Sequence, residues 1–197
     1  MTKATYHHGD LKKSLILKGL KLLNEKGIEE FSLRKVAAMC NVSHTAPYKH
    51  FKNKEELVTA IGNHVNKEFE ESLKETVKFY SNDPQKQIIE LGKKYVKFMV
   101  DNPDYLKFLF LGENQYPINI KNNKFEYHDA STFEIFKNSA INLLHNMAVD
   151  ESEYTKNIIA MWAMVHGISI LLSNGTLSYD GEISELVEML IVEKLKL

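Results

Sequence analysis

Three observations predict an all-α fold for this chain of 197 residues. Glycine (9) and proline (4) are scarce, about 7% of the chain together against a usual ~12%, so turns are few and helices long. Apolar residues recur at helical steps, as in Leu57, Ile61, Val65, Phe69, Leu73 and Val77. No stretch shows the alternation of a half-buried strand, and there is neither an internal repeat nor a low-complexity segment. At 44% apolar and 26% charged residues, the composition excludes a disordered or fibrous chain.

About nine helices follow in order. Asp10 is expected to cap a first helix that carries Leu11, Leu15, Ile16, Leu20 and Leu22 and stops at Gly27. Ser32 caps a second, Leu33 to about Cys40, and Ser43 a third, His44 to about Phe51. Asn53 followed by Glu56 is a capping-box pattern that opens a long fourth helix. Asp83-Pro84 places proline at the first position of a fifth, which runs to about Asp101. Asn102-Pro103 restarts the chain for a helix ending near Gly112. Residues 113–127 lack a clean period and contain Pro117, so they read as a loop. A seventh helix covers about His128 to Met147, and Asp150 with Glu153 caps an eighth that ends at Asn174-Gly175. The last, about Glu182 to Lys196, aligns Ile183, Leu186, Val187, Leu190 and Ile191 on one face. The domains expected are a three-helix head, 1–53, and a larger helical body, 54–197.

A net charge of −1 hides a division. Residues 1–57 hold eleven Lys/Arg and six Asp/Glu, a balance of +5, whereas residues 58–197 balance to −6. Four of the eight histidines, His7, His8, His44 and His50, also lie in the basic part. A basic head on a mildly acidic body suits a polyanion partner; the plainer reading is a solvated basic surface.

The segment Ser32 to Phe51 carries the most information. It sets two short capped helices about three residues apart, with Asn41, which tolerates positive φ, at the turn. Val36, Ala37 and Val42 are spaced to close a small core, and Ala37 is small enough for a close helix crossing. This is the helix-turn-helix arrangement, whose second helix enters the major groove with its N-terminal residues facing base edges. Short helix pairs also occur as plain structure. A solvated helix, however, rarely combines Tyr48, Lys49, His44 and His50 with no acid from Asn41 to Phe51.

The stretch Tyr6 to Ile61, above all its VSHTAPYKHFKNKEEL portion, resembles the N-terminal domain of TetR-family transcriptional regulators. By that resemblance Tyr48, His50 and Lys54 match phosphate-contacting positions, and Ser32 and Arg34 match backbone clamps. Ser43, His44, Thr45 and Lys49 are the candidates for reading bases. The family usually has glycine where this chain has Asn41, a mild change. Arg34 is the only arginine, so bidentate guanine readout is not expected to dominate, and an A·T-rich operator is expected. The resemblance implies a sequence-specific DNA-binding regulator, a repressor released from a palindromic double-stranded DNA operator by a small-molecule effector. The alternative is a DNA binder whose body takes a protein partner instead.

Residues 95–136 hold ten of the twenty aromatics. One reading is a ligand pocket for an apolar or aromatic effector, lined by Tyr95, Phe98, Tyr105, Phe108, Phe133, Phe136, Trp162 and His166; the other is a filled core. Trp162 and His166, four residues apart on one helix face, lie in a Trp-Ala-Met-Val-His-Gly run that resembles the Trp-His-Gly signature of a TetR-like subgroup. The helix around them is apolar nearly all round from Ile158 to Leu172 and needs cover on both sides. A second copy of the chain supplies it, through Met164, Ile168, Leu171, Leu172, Leu186 and Leu190, and a homodimer also suits a palindrome.

Enzymatic readings find no support in any His-Glu-x-x-His, phosphate-binding glycine loop or Gly-x-Ser-x-Gly. His7, His8 and Asp10 are better read as solvated or near phosphate than as metal ligands, and no metal or other cofactor is expected. A single cysteine, Cys40, permits no internal disulfide, and is better read as packing than as a redox sensor. There is no signal-peptide core, and the 15-residue apolar run is shorter than the roughly 20 a membrane span needs, so a cytoplasmic protein without membrane contact is expected.

Overall fold

The computed structural model describes residues 8–112, 117–128 and 131–195. The chain forms two compact units, Met1–Lys67 with Lys107–Gly112, and Glu68–Leu106 with Glu113–Leu197. Helices account for nearly every described element.

In the first unit, α1 (His8–Glu30) packs against α2 (Leu33–Met39). Leu15, Leu20, Phe31, Val36, Ala37 and Phe51 bury together with Leu57 and Ile61 from the first half of α3 (Lys54–Phe79). The helix begins before Asp10, so that residue lies inside α1 rather than at its cap; its side chain and His7 fall outside the described residues. Gly27 breaks α1 as expected, with φ 73° and ψ 176°, and one further helical turn follows it. A π-helical turn, Lys107–Leu111, completes this unit, and its Lys107 ammonium donates to the Asn24 carbonyl of α1.

The expected third helix, His44 to Phe51, is instead a single 3₁₀ turn, Ala46–Lys49. Pro47 has no N–H to give and crowds the residue before it, so the α-type bond from position 47 back to Ser43 O cannot form, and the one four-residue bond in the segment, Phe51 N to Pro47 O (2.9 Å), comes only at its end. Shorter bonds take over, from Ala46 N to Ser43 O (2.9 Å) and from His50 N to Pro47 O (2.9 Å). Ser43 therefore caps nothing, and its Oγ lies 3.1 Å from Thr45 Oγ1.

The second unit is built around α4 (Pro84–Asp101), which packs on α6 (Ser131–Asn146), α7 (Tyr154–Ser173) and α8 (Ile183–Leu195). Asp83 caps α4 by accepting from Lys86 N at 2.9 Å, with Pro84 in the first turn. The core is Phe69, Leu73, Leu91, Val96, Met99, Leu143, Ile158, Val165 and Ile191. α5 (Pro103–Leu106) follows Asn102 as expected. The last helix starts at Ile183, and Lys196 lies outside the described residues.

The loop expected over 113–127 contains a β-hairpin. Strand β1 (Asn119–Lys121) pairs antiparallel with β2 (Lys124–Glu126), Ile120 opposite Phe125. Asn122 and Asn123 both take positive φ, 49° and 60°, which is the two-residue turn that matches strand twist. The tip is tied to the start of α7: Thr155 Oγ1 donates to Asn123 O at 2.6 Å, and Asn123 Nδ2 donates to Ser152 O at 2.9 Å. Residues 113–116, Tyr116 among them, lie outside the described residues.

Asp150 accepts from Ser152 N (2.9 Å) and Ser152 Oγ (2.5 Å), opening a 3₁₀ turn, Glu151–Glu153, that leads into α7. These bonds, the Ser152 side chain first, hold its carboxyl below the usual carboxylate range. With that turn the run Glu151–Ser173 reaches 23 residues, longer than the 15-residue apolar stretch and sufficient by length and composition alone to cross a membrane. Core helices share that property.

Candidate nucleic-acid interface and aromatic cluster

The turn that sets the interface is built from backbone bonds. Asn41 sits at φ 54°, Val42 N donates to Ala37 O and Asn41 N donates to Ala38 O, each at 3.1 Å. This pair of bonds is the Schellman ending of α2, with asparagine in the left-handed position. At the other end of α2, Ser32 Oγ accepts from Lys35 N at 3.2 Å. The hydroxyl expected at a phosphate thus has its acceptor side engaged in the cap.

Beyond the turn, Ser43, His44, Thr45, Tyr48 and Lys49 are exposed, Tyr48 at 59%. Arg34 is exposed on α2, and His50 is half-buried with its ring 6.4 Å from that of Phe51. Lys54 is half-buried, and its ammonium reaches the Ile28 carbonyl at 3.5 Å. Lys12 adds a cation 5.8 Å above the Phe51 ring, a neighbour that sequence reasoning did not single out. At the start of α3, Asn53 Oδ1 accepts from Glu56 N (2.9 Å) while Glu56 Oε2 accepts from Lys52 N (2.5 Å). The expected box is present, displaced by one residue on its return bond.

In the second unit the aromatics form a continuous run of rings. Tyr105 lies 5.8 Å from Phe98, Phe98 stacks on Phe69 at 5.0 Å, and Phe69 meets Tyr95 edge-on at 5.2 Å. Tyr95 continues to His166 at 6.4 Å, His166 to Trp162 at 5.9 Å and Trp162 to Phe133 at 5.0 Å. Phe125, Tyr127 and Phe136 close around Phe133. Phe69, Phe125 and Tyr127 thereby join the expected set. Phe108 leaves it: it belongs to the first unit, 3.7 Å from where a Cβ at Gly62 would stand.

Tyr95 OH lies 2.9 Å from His166 Nδ1. Burial pushes the Tyr95 phenol well above its ordinary range and pulls His166 below that of a free histidine. Burial, and then the Glu68 charge, also raise Tyr105.

On α7, Leu171 is 41% exposed and Ile159 is exposed, while Met164, Ile168 and Leu172 are half-buried, as are Leu186 and Leu190 on α8. Met189 of α8 is exposed as well.

Two family models match the sequence: bacterial regulatory proteins of the tetR family over residues 15–61, and the tetracyclin repressor-like C-terminal domain over residues 88–193. The chain belongs to the TetR family of bacterial regulatory proteins. It is 24% identical over 191 residues to the uncharacterized HTH-type transcriptional regulator YerO of Bacillus subtilis, covering 93% of this chain and 63% of that protein. The chain therefore spans about 63% of the length of that curated relative. A TetR-family regulatory protein from Rhodococcus RHA1 shares its fold, with a TM-score of 0.69, 15% identity and coverage of 94% and 95% of the two chains. So does AibR, solved with isovaleryl coenzyme A and operator DNA, with a TM-score of 0.65, 16% identity and coverage of 93% and 96%. The family and these relatives are regulators rather than enzymes.

Proposed function

We propose that this chain is a transcriptional repressor that binds a palindromic operator as a homodimer and leaves it when a small effector occupies the aromatic cluster. The observation that carries the DNA-binding reading is the acid-free exposed surface Ser43, His44, Thr45, Tyr48 and Lys49, on the segment and 3₁₀ turn that follow the Schellman end of α2. His50, Lys54 and Arg34 flank it as backbone contacts, and Ser32 acts through the cap it makes. Residues 1–53 serve as the DNA-binding domain and 54–197 as the regulatory and dimerisation domain.

Dimerisation runs through Met164, Ile168, Leu171 and Leu172 of α7 and Leu186 and Leu190 of α8, an apolar surface left partly open within one chain. A dimer sets two heads on half-sites about 34–36 Å apart. The effector is apolar or aromatic, matched to the rings of Tyr95, Phe98, Tyr105, Phe133, Phe136 and Trp162 with His166. Its occupancy couples negatively to DNA affinity by about 1–3 kcal/mol. That AibR was solved with both an acyl coenzyme A and operator DNA supports the pairing of these two ligands on one fold. The protein works in the cytoplasm, as a regulator and not as an enzyme, and uses no resident cofactor.

Selection of bound sequences from random duplex DNA, followed by a salt titration on the winner, tests this. The expected result is a short palindrome, with affinity falling steeply as salt rises. Tyr48→Ala should weaken operator binding by about tenfold without changing dimerisation, since hydrogen bonds to charged groups carry roughly that much. Sequence-independent binding alone would overturn the repressor reading.

A further inference from the structure

One end of the ring cluster carries a charge that no carboxylate of the described residues neutralises. Lys137 lies on α6 four residues after Phe133, one helical turn along the same face. It is half-buried, and its ammonium donates to the Tyr127 hydroxyl at 2.5 Å. A phenol is a neutral acceptor and takes only one of the three ammonium hydrogens. Among the described residues no acid stands within ion-pair distance of Lys137. Glu126, next to Tyr127, is paired with Lys121 at 2.9 Å, and Glu134, three residues earlier on α6, is exposed. The half-buried lysine of α4 is treated differently: Lys93 is held by Glu90 at 2.9 Å and by Glu188 at 2.6 Å. Withdrawing an ammonium partly from water without a counter-charge costs desolvation that a fully solvated lysine avoids.

The cation is also fixed in place against the rings. Tyr127 follows β2, and the tip of that hairpin is tied to the start of α7 through Asn123. The Tyr127 ring meets Phe133 edge-on at 5.4 Å, and Phe133 lies 5.0 Å from Trp162. One side chain, Tyr127, thus touches both the ammonium and the apolar rings. A ring surface that ends in one uncompensated cation is complementary to a molecule with an apolar body and one negative end.

We propose that Lys137, held by Tyr127, is the anchor for a carboxylate at one end of the effector. The inference rests on the reading of the aromatic cluster as the effector site and deepens it, by making the ligand class a carboxylic acid with an apolar body. On binding, the ammonium exchanges water on its remaining N–H groups for carboxylate oxygens, while the phenol bond keeps it beside the rings. A single ammonium balances the single charge of a carboxylate, whereas a phosphate monoester brings close to two.

Titration of the full-length protein with octanoate, octanamide and octyl phosphate tests this, followed by the emission of Trp162, the only tryptophan in the sequence. At neutral pH octanoate should bind about fivefold more tightly than octanamide, its neutral analogue of nearly the same shape, which is the upper end for a partly solvated ion pair. That preference should shrink as salt rises. Lys137→Met keeps an apolar stem without the charge and should bind octanoate and octanamide equally, at the wild-type octanamide affinity. Lys137→Arg keeps the charge and should keep the preference. Equal binding of the two by the wild type, or a preference that survives in Lys137→Met, would overturn Lys137 as the anchor and leave the effector site standing. Octyl phosphate bound more tightly than octanoate would overturn the carboxylate assignment. No response to any of the three would remove the effector site itself, and the proposal with it.

Discussion

Asn41 sits at φ 54°, a conformation that costs most side chains roughly 1–2 kcal/mol and glycine none. Asn41→Ala should therefore lower stability by about 1 kcal/mol, and Asn41→Gly should leave it equal or higher, measured by urea unfolding. Sequence reasoning identified this residue because the constraint is local: one backbone angle, set by one turn. His166 is a second case with a defined sign. Its proton affinity in the folded state lies below the ordinary value of 6.5, so the unfolded chain binds the proton first. Stability should fall as pH drops below about 6.5 and level off beneath the folded value. His166→Phe should flatten that part of a plot of melting temperature against pH.

At the scale of elements, two glycines in helices separate tight packing from open surface. A Cβ at Gly92 of α4 would stand 2.4 Å from Ile191 Cδ1 of α8, both deep in the second unit. Gly92→Ala should make the end of the Ile191 side chain turn aside, a cost set against the ~1 kcal/mol of helix propensity gained, so urea unfolding should show a net change within about 1 kcal/mol. A Cβ at Gly167 of α7 meets nothing within 4 Å, so Gly167→Ala should stabilise the single chain by about 0.5–1 kcal/mol through helix propensity. If the same change weakens self-association in sedimentation experiments, the glycine serves the second copy. The caps Ser32 and Asn53 were legible in the sequence because side-chain-to-backbone bonds span three residues, whereas at Asp83 the signal read was Pro84 and the cap itself is added by the structure. Asp150 was legible as a cap too, although its bonds go to Ser152 and start a 3₁₀ turn rather than α7 itself. The 3₁₀ turn was missed because Pro47 was read as one residue of a helix rather than as the one that removes its bonds. The hairpin was missed because its strands are three residues long; its one signal was the Asn122-Asn123 pair between two lysines.

Across the whole molecule, the all-helical class and the order of elements followed from periodicity and punctuation, which are properties of consecutive residues. Which rings assemble is a tertiary outcome. Phe108 lies in the same stretch of sequence as Phe98 and Tyr105, yet it falls in the first unit, where it faces Gly62. Self-association belongs to this scale as well. Leu171→Lys places a charge on the open apolar face of α7 and should yield a monomer in sedimentation, with operator affinity reduced because only one head can engage the DNA at a time.

The π-helical turn Lys107–Leu111 has a practical consequence for cutting and grafting. Although it follows α5 in the chain, it is grouped with α1 and with the start of α3, so the backbone passes between the two units at three peptide bonds, after Lys67, after Leu106 and after Gly112. A head transplanted onto another regulator by a single junction after Lys67 would leave Lys107, the partner of the Asn24 carbonyl, behind. A working chimera needs three seams, and the six residues from 107 to 112 must travel with the recipient's new head rather than stay with its body.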